Sequence, residues 1–552
     1  MSRAAYVIAL ATALTACNAP HGPRFRAAGR TTPYIGGTLH IASKDQIHTL
    51  DPAIAYDEAS SYATHALFDT LLDYAPAVAG DDRAAYALIP RLAERWDLSA
   101  DARRLSFTLR PGLRYADGLP ITTADIVYSL ERALRTVDSP FGPFLADVDG
   151  ADEVVAGKAS HVRGLRIVSD RELVIELVRP NVAFPYVLTM AFSTPQRADY
   201  VAKVGDDLRR APLATGPYVL AAWTEGTELV LRRNPNYWDP QRGRIETIEL
   251  RENVARDTQF LMFERGELDT IEHLATPDYL WITSEPEWAP TTLRFTPLTV
   301  YGSRMNVRRP PFDDVRVRRA LNYAADKDHM IKLLHGTAVV AHGALPPGVL
   351  GRDDTLAPYP HDPAKARALL REAGYGPGHA LALRYTTLND EEAQQLAGSL
   401  QDDLAEVGVA LVIETMSLAT FATADTKLDG PAFALESWIG DFPDPSNFFE
   451  PRLHSRMITP DGSTNDAFYA NPELDRILDA ARATADPSTR AALYRTAERM
   501  VFDDAPWIFG YHQQSIEVTQ PYVRDYAPHP VWVRDYSAAW LDLNPDDERQ
   551  LR

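Results

Sequence analysis

The chain has 552 residues, of which 45% are hydrophobic, so it can bury a large core and, by size, divide into about three or four domain-sized units. Its 56 lysine and arginine residues against 76 aspartate and glutamate residues give a formal net charge of −20, which repels nucleic-acid phosphate and anionic lipid surfaces. A nucleic-acid partner is therefore not expected. The single cysteine excludes an intramolecular disulfide and a cysteine-rich metal site.

The N-terminus has the pattern of a secretion signal. Arg3 precedes an apolar segment at residues 4–13, and residues 14–16 lead into Cys17 with the small side chains that a signal peptidase requires. The pattern resembles a bacterial lipobox, in which the cysteine sulfur receives a diacylglycerol. It predicts a signal peptide over residues 1–16 and a lipid anchor at Cys17; an ordinary signal peptide with an incidental Cys17 is the alternative.

Residues 17–33 are rich in proline, glycine, alanine and arginine and have no hydrophobic period. This composition predicts a flexible tether. No later run of about 18 apolar residues predicts a membrane span.

From residue 100 onward the hydrophobic pattern alternates between strand and helix periods. Strands are predicted at 105–109, 173–178, 228–231 and 411–415. Helices are predicted at 123–134, 315–325, 363–373, 391–407, 472–483 and 487–503. Short strands alternating with helices predict α/β lobes with parallel sheet.

Residues 301–329, YGSRMNVRRPPFDDVRVRRALNYAADKDH, combine a strand, a turn and a helix. Side chains of two kinds alternate along residues 300–306, which predicts a strand with two different faces. Pro310 and Pro311 interrupt regular structure and predict a turn. Asp313 and Asp314 then supply the negative charge that favours a helix N-terminus. Taken alone, this is also compatible with an ordinary strand–turn–helix unit.

Five segments, in this order, resemble the bacterial extracellular solute-binding proteins that serve oligopeptide and dipeptide ABC importers. They are the leucine-aspartate-proline turn region 39–74, the tryptophan and aspartate-glycine block 88–134, the glycine-proline-tyrosine module 214–238, the strand–turn–helix unit 301–329 and the helical pair 471–512. The resemblance implies an α/β, two-lobe periplasmic-binding-protein-like fold of type II, cluster C, with an extra subdomain in lobe one.

The same resemblance implies that lobe I is discontinuous along the chain. It places lobe I in residues 34–57, 194–296 and 508–552. It places the extra subdomain in residues 58–193 and lobe II in residues 297–507.

The segment LESWIGDFPDPSNFFEP, residues 435–451, interleaves aromatic residues with carboxylates and prolines. Aromatic planes beside a fixed carboxylate suit an ammonium group. In peptide-binding relatives the aspartate of a Trp-x-x-Asp pattern holds the α-amino group of the ligand. The resemblance assigns this role to Asp441, with Trp438 at the tryptophan position. The alternative is that Asp441 caps or bridges loop backbone.

The partner for the ligand carboxylate is less defined. One oligopeptide-binding pattern places an arginine six residues before the aspartate, but Leu435 stands there. Arg384 lies in the segment where dipeptide-binding relatives place their clamp. Arg304 is a charge within a strand whose neighbours look buried, so it needs a partner. For both arginines a structural salt bridge or a surface charge is the alternative.

Two further residues are candidates for contact with a peptide backbone. Tyr301 belongs to the strand that lines the cleft in relatives, where its hydroxyl can bond a peptide while its ring packs. Core packing is the alternative. His48 precedes the turn at residues 50–52 and is either a ligand contact or an ordinary loop histidine.

Enzyme motifs are missing from the sequence. It has no HExxH or CxxC metal pattern, no GxSxG elbow, no GxxxxGK[ST] phosphate loop and no GxGxxG after a strand. We therefore expect neither catalysis nor a cofactor nor a metal.

The resemblance thus implies a monomeric, lipid-anchored protein of the periplasm or cell envelope. It would capture a short peptide in a closing cleft and deliver it to the permease of an ABC importer. Three alternatives stay open: a non-peptide solute such as a nickel complex, haem or an oligosaccharide; a receptor that senses peptides; and an exported hydrolase.

Overall fold

A computed structural model of the protein describes residues 22–77, 81, 83–137, 139–272, 274, 276–460, 462–531 and 534–544. The predicted signal peptide, the lipid anchor at Cys17 and the first residues of the tether lie outside the described residues.

Strands and helices alternate along the described chain. The strands are β1 (Thr38–Ala42), β2 (Leu72–Tyr74), β3 (Leu88–Pro90), β4 (Ala93–Leu98), β5 (Arg104–Leu109), β6 (Leu165–Ser169), β7 (Glu172–Glu176), β8 (Tyr218–Thr224), β9 (Glu228–Arg233), β10 (Thr247–Arg251), β11 (Thr270–Glu272), β12 (Thr292–Phe295), β13 (Thr299–Met305), β14 (Ala338–Val340), β15 (Leu381–Leu388), β16 (Val409–Met416), β17 (Phe433–Ile439), β18 (Trp507–Gln513), β19 (Ser515–Thr519), β20 (Val523–Arg524) and β21 (Trp540–Leu541).

The helices are α1 (Glu58–Leu67), α2 (Thr123–Arg135), α3 (Ala151–Val155), α4 (Phe184–Val187), α5 (Ala198–Val204), α6 (Arg256–Glu264), α7 (Thr276–Ser284), α8 (Val315–Ala324), α9 (Lys327–Leu333), α10 (Pro363–Glu372), α11 (Glu391–Glu406), α12 (Leu418–Asp425), α13 (Ser446–Leu453), α14 (Pro472–Ala483) and α15 (Pro487–Asp504). The predicted strands and helices are all present, with ends that differ from the predicted ones by at most two residues.

The sheets divide the molecule into three parts. Lobe I contains a four-stranded sheet, in the order β1-β10-β9-β8, and a three-stranded sheet, β11-β19-β12. The extra subdomain contains the antiparallel sheet β4-β5-β7-β6. Lobe II contains a six-stranded sheet in the order β14-β18-β13-β17-β15-β16.

The largest sheet of each lobe is mixed and the three-stranded sheet of lobe I is antiparallel, whereas the sequence pattern predicted parallel sheets. In the two lobes, parallel pairing joins β1 to β10 and β15 to both β16 and β17, and the other ladders are antiparallel. The difference has a simple cause. The long helix α11 carries the chain back between β15 and β16, whereas the short β8–β9 connection is a hairpin.

Each part has its own hydrophobic core. Leu39 lies at the centre of the lobe I core, Phe107 and Phe184 lie in the extra subdomain, and Leu321 and Phe433 lie in lobe II. All five side chains are at most 2% exposed. The cores of the two lobes are separate, whereas Phe442 of lobe II enters the core of the extra subdomain.

Core membership moves two of the expected boundaries. Helix α1 buries Ala59, Ala63 and Leu67 in the lobe I core, so the extra subdomain begins near residue 70 rather than at 58. Strand β18 pairs with β13 of lobe II, so the chain returns to lobe I at Gln514 rather than at 508.

Lobe I and lobe II are joined through two short crossing segments, residues 296–298 and residue 514. The first lies between β12 and β13, and the second between β18 and β19. Strand β12 pairs with β19 in lobe I, and β13 pairs with β18 in lobe II. One antiparallel ribbon therefore runs through both lobes and is interrupted where the chain crosses.

Local sequence explains why β13 and the helices around it form where they do. Asp314 caps α8 by accepting a hydrogen bond from the backbone N–H of Arg316 at 2.8 Å. Asn471 caps α14 in the same way, followed by Pro472 at the first helical position. In β13 a side chain at Gly302 would put its Cβ 2.1 Å from the carbonyl oxygen of Ile508, so only glycine allows this approach to β18.

Candidate ligand-binding cleft

A cavity of about 1080 Å³ lies where lobe I, lobe II and the extra subdomain meet. Lobe I supplies Tyr56 and Glu58, the extra subdomain supplies Phe141, and lobe II supplies Tyr301 and Asp441. This volume is at the upper end of the roughly 300–1,000 Å³ typical of small-molecule pockets. The cavity is therefore the candidate binding site.

The connection between the lobes forms part of the cavity wall. Pro297, Thr299, Gln513, Gln514 and Ser515 all line it. A ligand in the cavity therefore contacts both lobes and the place where they join.

Asp441 is held by neutral hydrogen-bond donors. Its Oδ1 accepts from the hydroxyl of Tyr56 in lobe I at 2.5 Å, and its Oδ2 accepts from Nδ2 of Asn447 at 2.9 Å. Among the described residues no cation forms an ion pair with it. Burial raises the pKa of Asp441, and the hydrogen bonds from Tyr56 and Asn447 oppose that rise.

The loop that carries Asp441 is fixed at both sides. Phe442 enters the core of the extra subdomain and stacks on Tyr186, with ring centroids 6.1 Å apart. Asp444 accepts two hydrogen bonds from Arg490, at 2.6 and 2.7 Å. Burial opposes ionisation of Asp444, but the Arg490 guanidinium nevertheless holds its pKa below the usual range. Asp444 is thus a structural anion, and Asp441 is the carboxylate of this loop that faces the cavity.

Tyr301 lies in the cavity wall, as expected from the sequence. Its ring stacks on that of Tyr511, with centroids 4.9 Å apart and planes 11° apart. Burial raises the pKa of Tyr301 to about 12, so its hydroxyl is neutral and can donate or accept a hydrogen bond.

Trp438 does not line the cavity. Successive side chains of β17 point to opposite faces, and Ile439 is the neighbour that lines the cavity. Trp438 packs against the core of lobe II, where the guanidinium carbon of Arg452 lies 5.2 Å from its ring centroid. We therefore correct the expected ligand contact to a packing role.

Arg304 lies in a buried charge network of lobe II and not in the cavity wall. Its Nε donates to Asp425 at 2.8 Å and lies 3.6 Å from Asp466, while Arg452 contacts Asp466 and Glu436 at 2.5 Å. Within this group three carboxyl groups face two guanidinium groups, so the opposite charge does not fully offset the effect of burial on the carboxyl groups. Burial accordingly raises the pKa of Glu436 to about 8. We withdraw Arg304 as a carboxylate clamp.

Arg384 and His48 also lie outside the cavity wall. Arg384 is exposed on β15 and forms an ion pair with Glu414 of the neighbouring strand β16. His48 is exposed, and its backbone N–H donates to Ser60 at 3.2 Å. Neither position contributes to the site, so of the six predicted ligand contacts the structure brings together Asp441 and Tyr301.

Several residues of the wall were missed from the sequence. Among the described residues, the arginine and lysine side chains in the wall are Arg256 and Lys44, and neither stands in a segment singled out by the resemblance for this purpose. Tyr56 follows the turn at residues 50–52, and its position alone carries no signal that it faces Asp441. Tyr511 and Glu392 enter the wall through strand pairing and helix packing, which no local pattern reveals.

The two lobes and the polar-walled cavity between them define a protein that binds a solute between its lobes. A family model for bacterial extracellular solute-binding proteins, family 5 Middle, matches residues 87–459, more than half of the chain. The chain belongs to this family of extracellular solute-binding proteins, and the predicted family is confirmed.

Similar proteins extend over most of the length. Di/tripeptide-binding protein 2 of Pseudomonas aeruginosa (strain UCBPP-PA14) is 27% identical over 526 residues, which are 92% of this chain and 95% of that protein. The probable deoxycholate-binding periplasmic protein YgiS of Escherichia coli (strain K12) is 29% identical over 453 residues, 80% of this chain and 83% of that protein.

Among solved structures, clavulanic acid biosynthesis oligopeptide binding protein 2 matches with a TM-score of 0.85 and 26% identity, covering 94% of this chain and 99% of that chain. The expected two-lobe fold is confirmed. None of the helices in the described part of the chain has the length and apolar character needed to cross a bilayer.

Proposed function

We propose that the protein captures short peptides with a free amino terminus in the cavity between its lobes and delivers them to the permease of an ABC importer. The observation that carries this proposal is Asp441. Its carboxylate faces the cavity, is oriented by Tyr56 and Asn447, and pairs with no cation among the described residues. An α-ammonium group is the ligand group that such a buried, oriented carboxylate stabilises best.

The opposite end of the peptide faces lobe I in this proposal. Arg256 lines the cavity at the start of α6, where its guanidinium can form an ion pair with a terminal carboxylate. Lys44 also lines the cavity, but it already pairs with Asp45 at 2.9 Å. Arg256 therefore replaces Arg304 and Arg384 as the proposed carboxylate partner.

Charge disfavours the anionic alternatives. Eight aspartate and glutamate side chains line the cavity, against two from lysine or arginine. Three of these carboxyl groups, those of Asp390, Glu392 and Asp441, form no ion pair with a described residue, and their negative charge disfavours haem propionates and bile-acid carboxylates. A positively charged or zwitterionic peptide is compatible with the same wall.

Delivery follows from the closing geometry and the family. Closure places parts of both lobes side by side, and a permease that reads this combined surface distinguishes the loaded protein from the open one. Lipid attachment at Cys17 would keep the protein near the membrane. A Cys17→Ser variant is expected to leave the membrane fraction and to lose incorporation of labelled lipid.

The direct test uses titration calorimetry with Ala-Ala-Ala and its N-acetylated form. Asp441→Asn keeps the shape and the contact with Asn447 but removes the charge. It should weaken binding of the free peptide by roughly 30-fold or more, since losing one partner of a buried charge pair costs about 2–5 kcal/mol. Binding of the acetylated peptide should change little.

Asp45→Asn is the matched control, because it removes the same charge from an exposed position of the same wall. Equal losses for the free and acetylated peptides would reject the role of Asp441. Native mass spectrometry of the purified protein tests the ligand class independently. A co-purifying sugar, haem or metal complex, together with no heat from peptides, would reject the peptide proposal itself.

A further inference from the structure

The carboxyl groups of the cavity wall differ in how they are neutralised. Asp45 pairs with Lys44, as described above. Glu272 pairs with Arg534 at 2.8 Å, and Asp73 pairs with Arg242 at 3.3 Å. Asp69, also in the wall, pairs with Arg91 at 3.0 Å. These four are thus part of the protein's own ion pairs and are not the reason for a ligand preference.

Asp390 and Glu392 form no ion pair with any described residue, although both line the cavity. They open α11 of lobe II, where Asp390 accepts a hydrogen bond from the backbone N–H of Ala393 at 2.9 Å. Burial raises the pKa of Glu392, and the charge of Asp390 adds to this while Arg256 opposes it. Arg256 of lobe I thus acts on Glu392 without forming an ion pair with it.

Helix geometry places Glu392 over the stacked tyrosines. Residues four apart lie on the same helix face, and Leu396, four residues after Glu392, packs against the cluster that contains Tyr301 and Tyr511. Both tyrosines line the same cavity as Glu392. The first turn of α11 and the two rings therefore form one continuous part of the wall, which we name the tyrosine–glutamate wall: Tyr301, Tyr511, Asp390 and Glu392.

A second observation indicates that a ligand binds in the cavity beside this wall. Tyr511 is only 8% exposed and lines the cavity, and its hydroxyl, which forms no hydrogen bond with a described residue, is open to that cavity. Ser515, which is 6% exposed and also in the cavity lining, has an Oγ without a partner. Buried polar groups in folded proteins are normally satisfied, so the unpartnered Oγ of Ser515 indicates a group that a bound molecule completes, and the Tyr511 hydroxyl is a further donor or acceptor available in the same cavity.

We propose that the tyrosine–glutamate wall is a second cation subsite, and that the preferred ligands are short peptides carrying a lysine- or arginine-type side chain in addition to the free amino terminus. This inference rests on the proposed peptide-binding function, in which Asp441 takes the α-ammonium group. Glu392 and Asp390 attract the basic side chain, and the tyrosine hydroxyls accept its hydrogen bonds. The ring faces add cation–π attraction.

The wall selects by repulsion as well as attraction. An acidic side chain placed beside Asp390 and Glu392 meets like charge, and an uncharged chain leaves the Tyr511 hydroxyl without a charged partner. Because Glu392 is open to water in the cavity, its effect on affinity is that of a solvated pair, and we expect a preference of about threefold to tenfold.

The test compares three side chains of similar reach in otherwise identical tripeptides. Alanine tripeptides carry lysine, norleucine or glutamate at the first, second or third position, and calorimetry measures each dissociation constant. At one position at least, lysine should bind about threefold to tenfold more tightly than norleucine, and glutamate more weakly than both. Glu392→Gln should remove most of the lysine advantage at that position.

Glu391→Gln is the matched control, since Glu391 is the adjacent residue of α11 and is not among the cavity-lining residues. It should keep the lysine advantage. Equal affinity for lysine and norleucine peptides at every position would overturn the second subsite while leaving peptide binding intact. So would a lysine advantage that survives Glu392→Gln unchanged. Failure of all the tripeptides to bind would instead reject the proposed function on which the inference rests.

Discussion

The hydrogen bond between Tyr56 and Asp441 links lobe I to lobe II in the absence of a ligand. Replacing Tyr56 by phenylalanine removes only the hydroxyl, because the edge-to-face contact of its ring with Phe141, at 5.4 Å, does not need it. We expect Tyr56→Phe to shift the unliganded protein towards the open arrangement of its lobes.

The size of the shift follows from the exposure of the contact. A hydrogen bond to a charged group contributes about 1.5–3 kcal/mol when it is buried. Tyr56 is 46% exposed, so water compensates for part of the loss, and about 1 kcal/mol is a suitable expectation. This corresponds to a change of about fivefold in the equilibrium between closed and open forms.

Single-molecule energy transfer measures that equilibrium directly. Cys17 is the only cysteine of the chain, so a Cys17→Ser background accepts two new cysteines for dyes. Exposed positions at Arg232 in lobe I and Glu372 in lobe II report the distance between the lobes. The ratio of closed to open molecules without ligand should fall about fivefold in Tyr56→Phe.

Tyr62→Phe supplies the control for this experiment. Its hydroxyl bonds Glu58 and Glu272, both within lobe I, so its loss breaks no contact between the lobes. An unchanged distance distribution in Tyr56→Phe, or the same change in both variants, would refute a linking role for the Tyr56 hydroxyl.

Two more predictions concern charge. Arg256→Gln should weaken binding of a free-acid peptide about tenfold and leave binding of the corresponding C-terminal amide unchanged, while Arg384→Gln should change the affinity for neither peptide. Calorimetry with both peptides measures these affinities. Equal losses for the two peptides would reject Arg256 as the carboxylate partner. Because the pKa of Glu436 rises from 4.5 to about 8 on folding, the native state holds a proton that the unfolded chain releases, so the free energy of unfolding falls as pH rises from about 5 to 8. Glu436→Gln should flatten this fall in urea titrations at pH 6 and 9, and identical slopes for variant and wild type would contradict the network.

Much of the fold was predictable from local sequence. The helix predicted at 472–483 is α14, with the same ends, because Asn471 and Pro472 fix its start through contacts within a few residues. Asp441 was singled out through the resemblance, by a short pattern around Trp438, and the structure places it in the cavity wall; its role as the ammonium partner is a proposal. Features set by nearby residues are visible in a single sequence.

The misplaced site residues share a different cause. β13 lies inside a six-stranded sheet, and Ser303, Arg304 and Met305 are all buried, so the two-residue period no longer separates a cleft face from a core face. The pairing of β17 with β13 determines the sheet face on which Trp438 lies, and these two strands are far apart in the chain. A local sequence pattern does not determine the register between such distant strands.

The site residues that sequence reasoning missed have the same origin. Glu392 and Tyr511 come together because α11 packs on the sheet that contains β18, and Tyr56 meets Asp441 because two lobes face one another. The identity of these residues was visible, but their common location was not.

The interrupted ribbon between the lobes has a consequence for how binding is sensed. Any change of the angle between the lobes must be absorbed at residues 296–298 and 514, and Pro297 and Gln514 are themselves in the cavity wall. The segments that would absorb a change of lobe angle are therefore also segments that line the ligand cavity. The presence of a ligand can therefore affect the angle between the lobes directly, without a series of side chains between the site and the crossing segments. Substitutions at these positions should alter ligand affinity and lobe motion together. Substitutions deep in either lobe should alter stability alone.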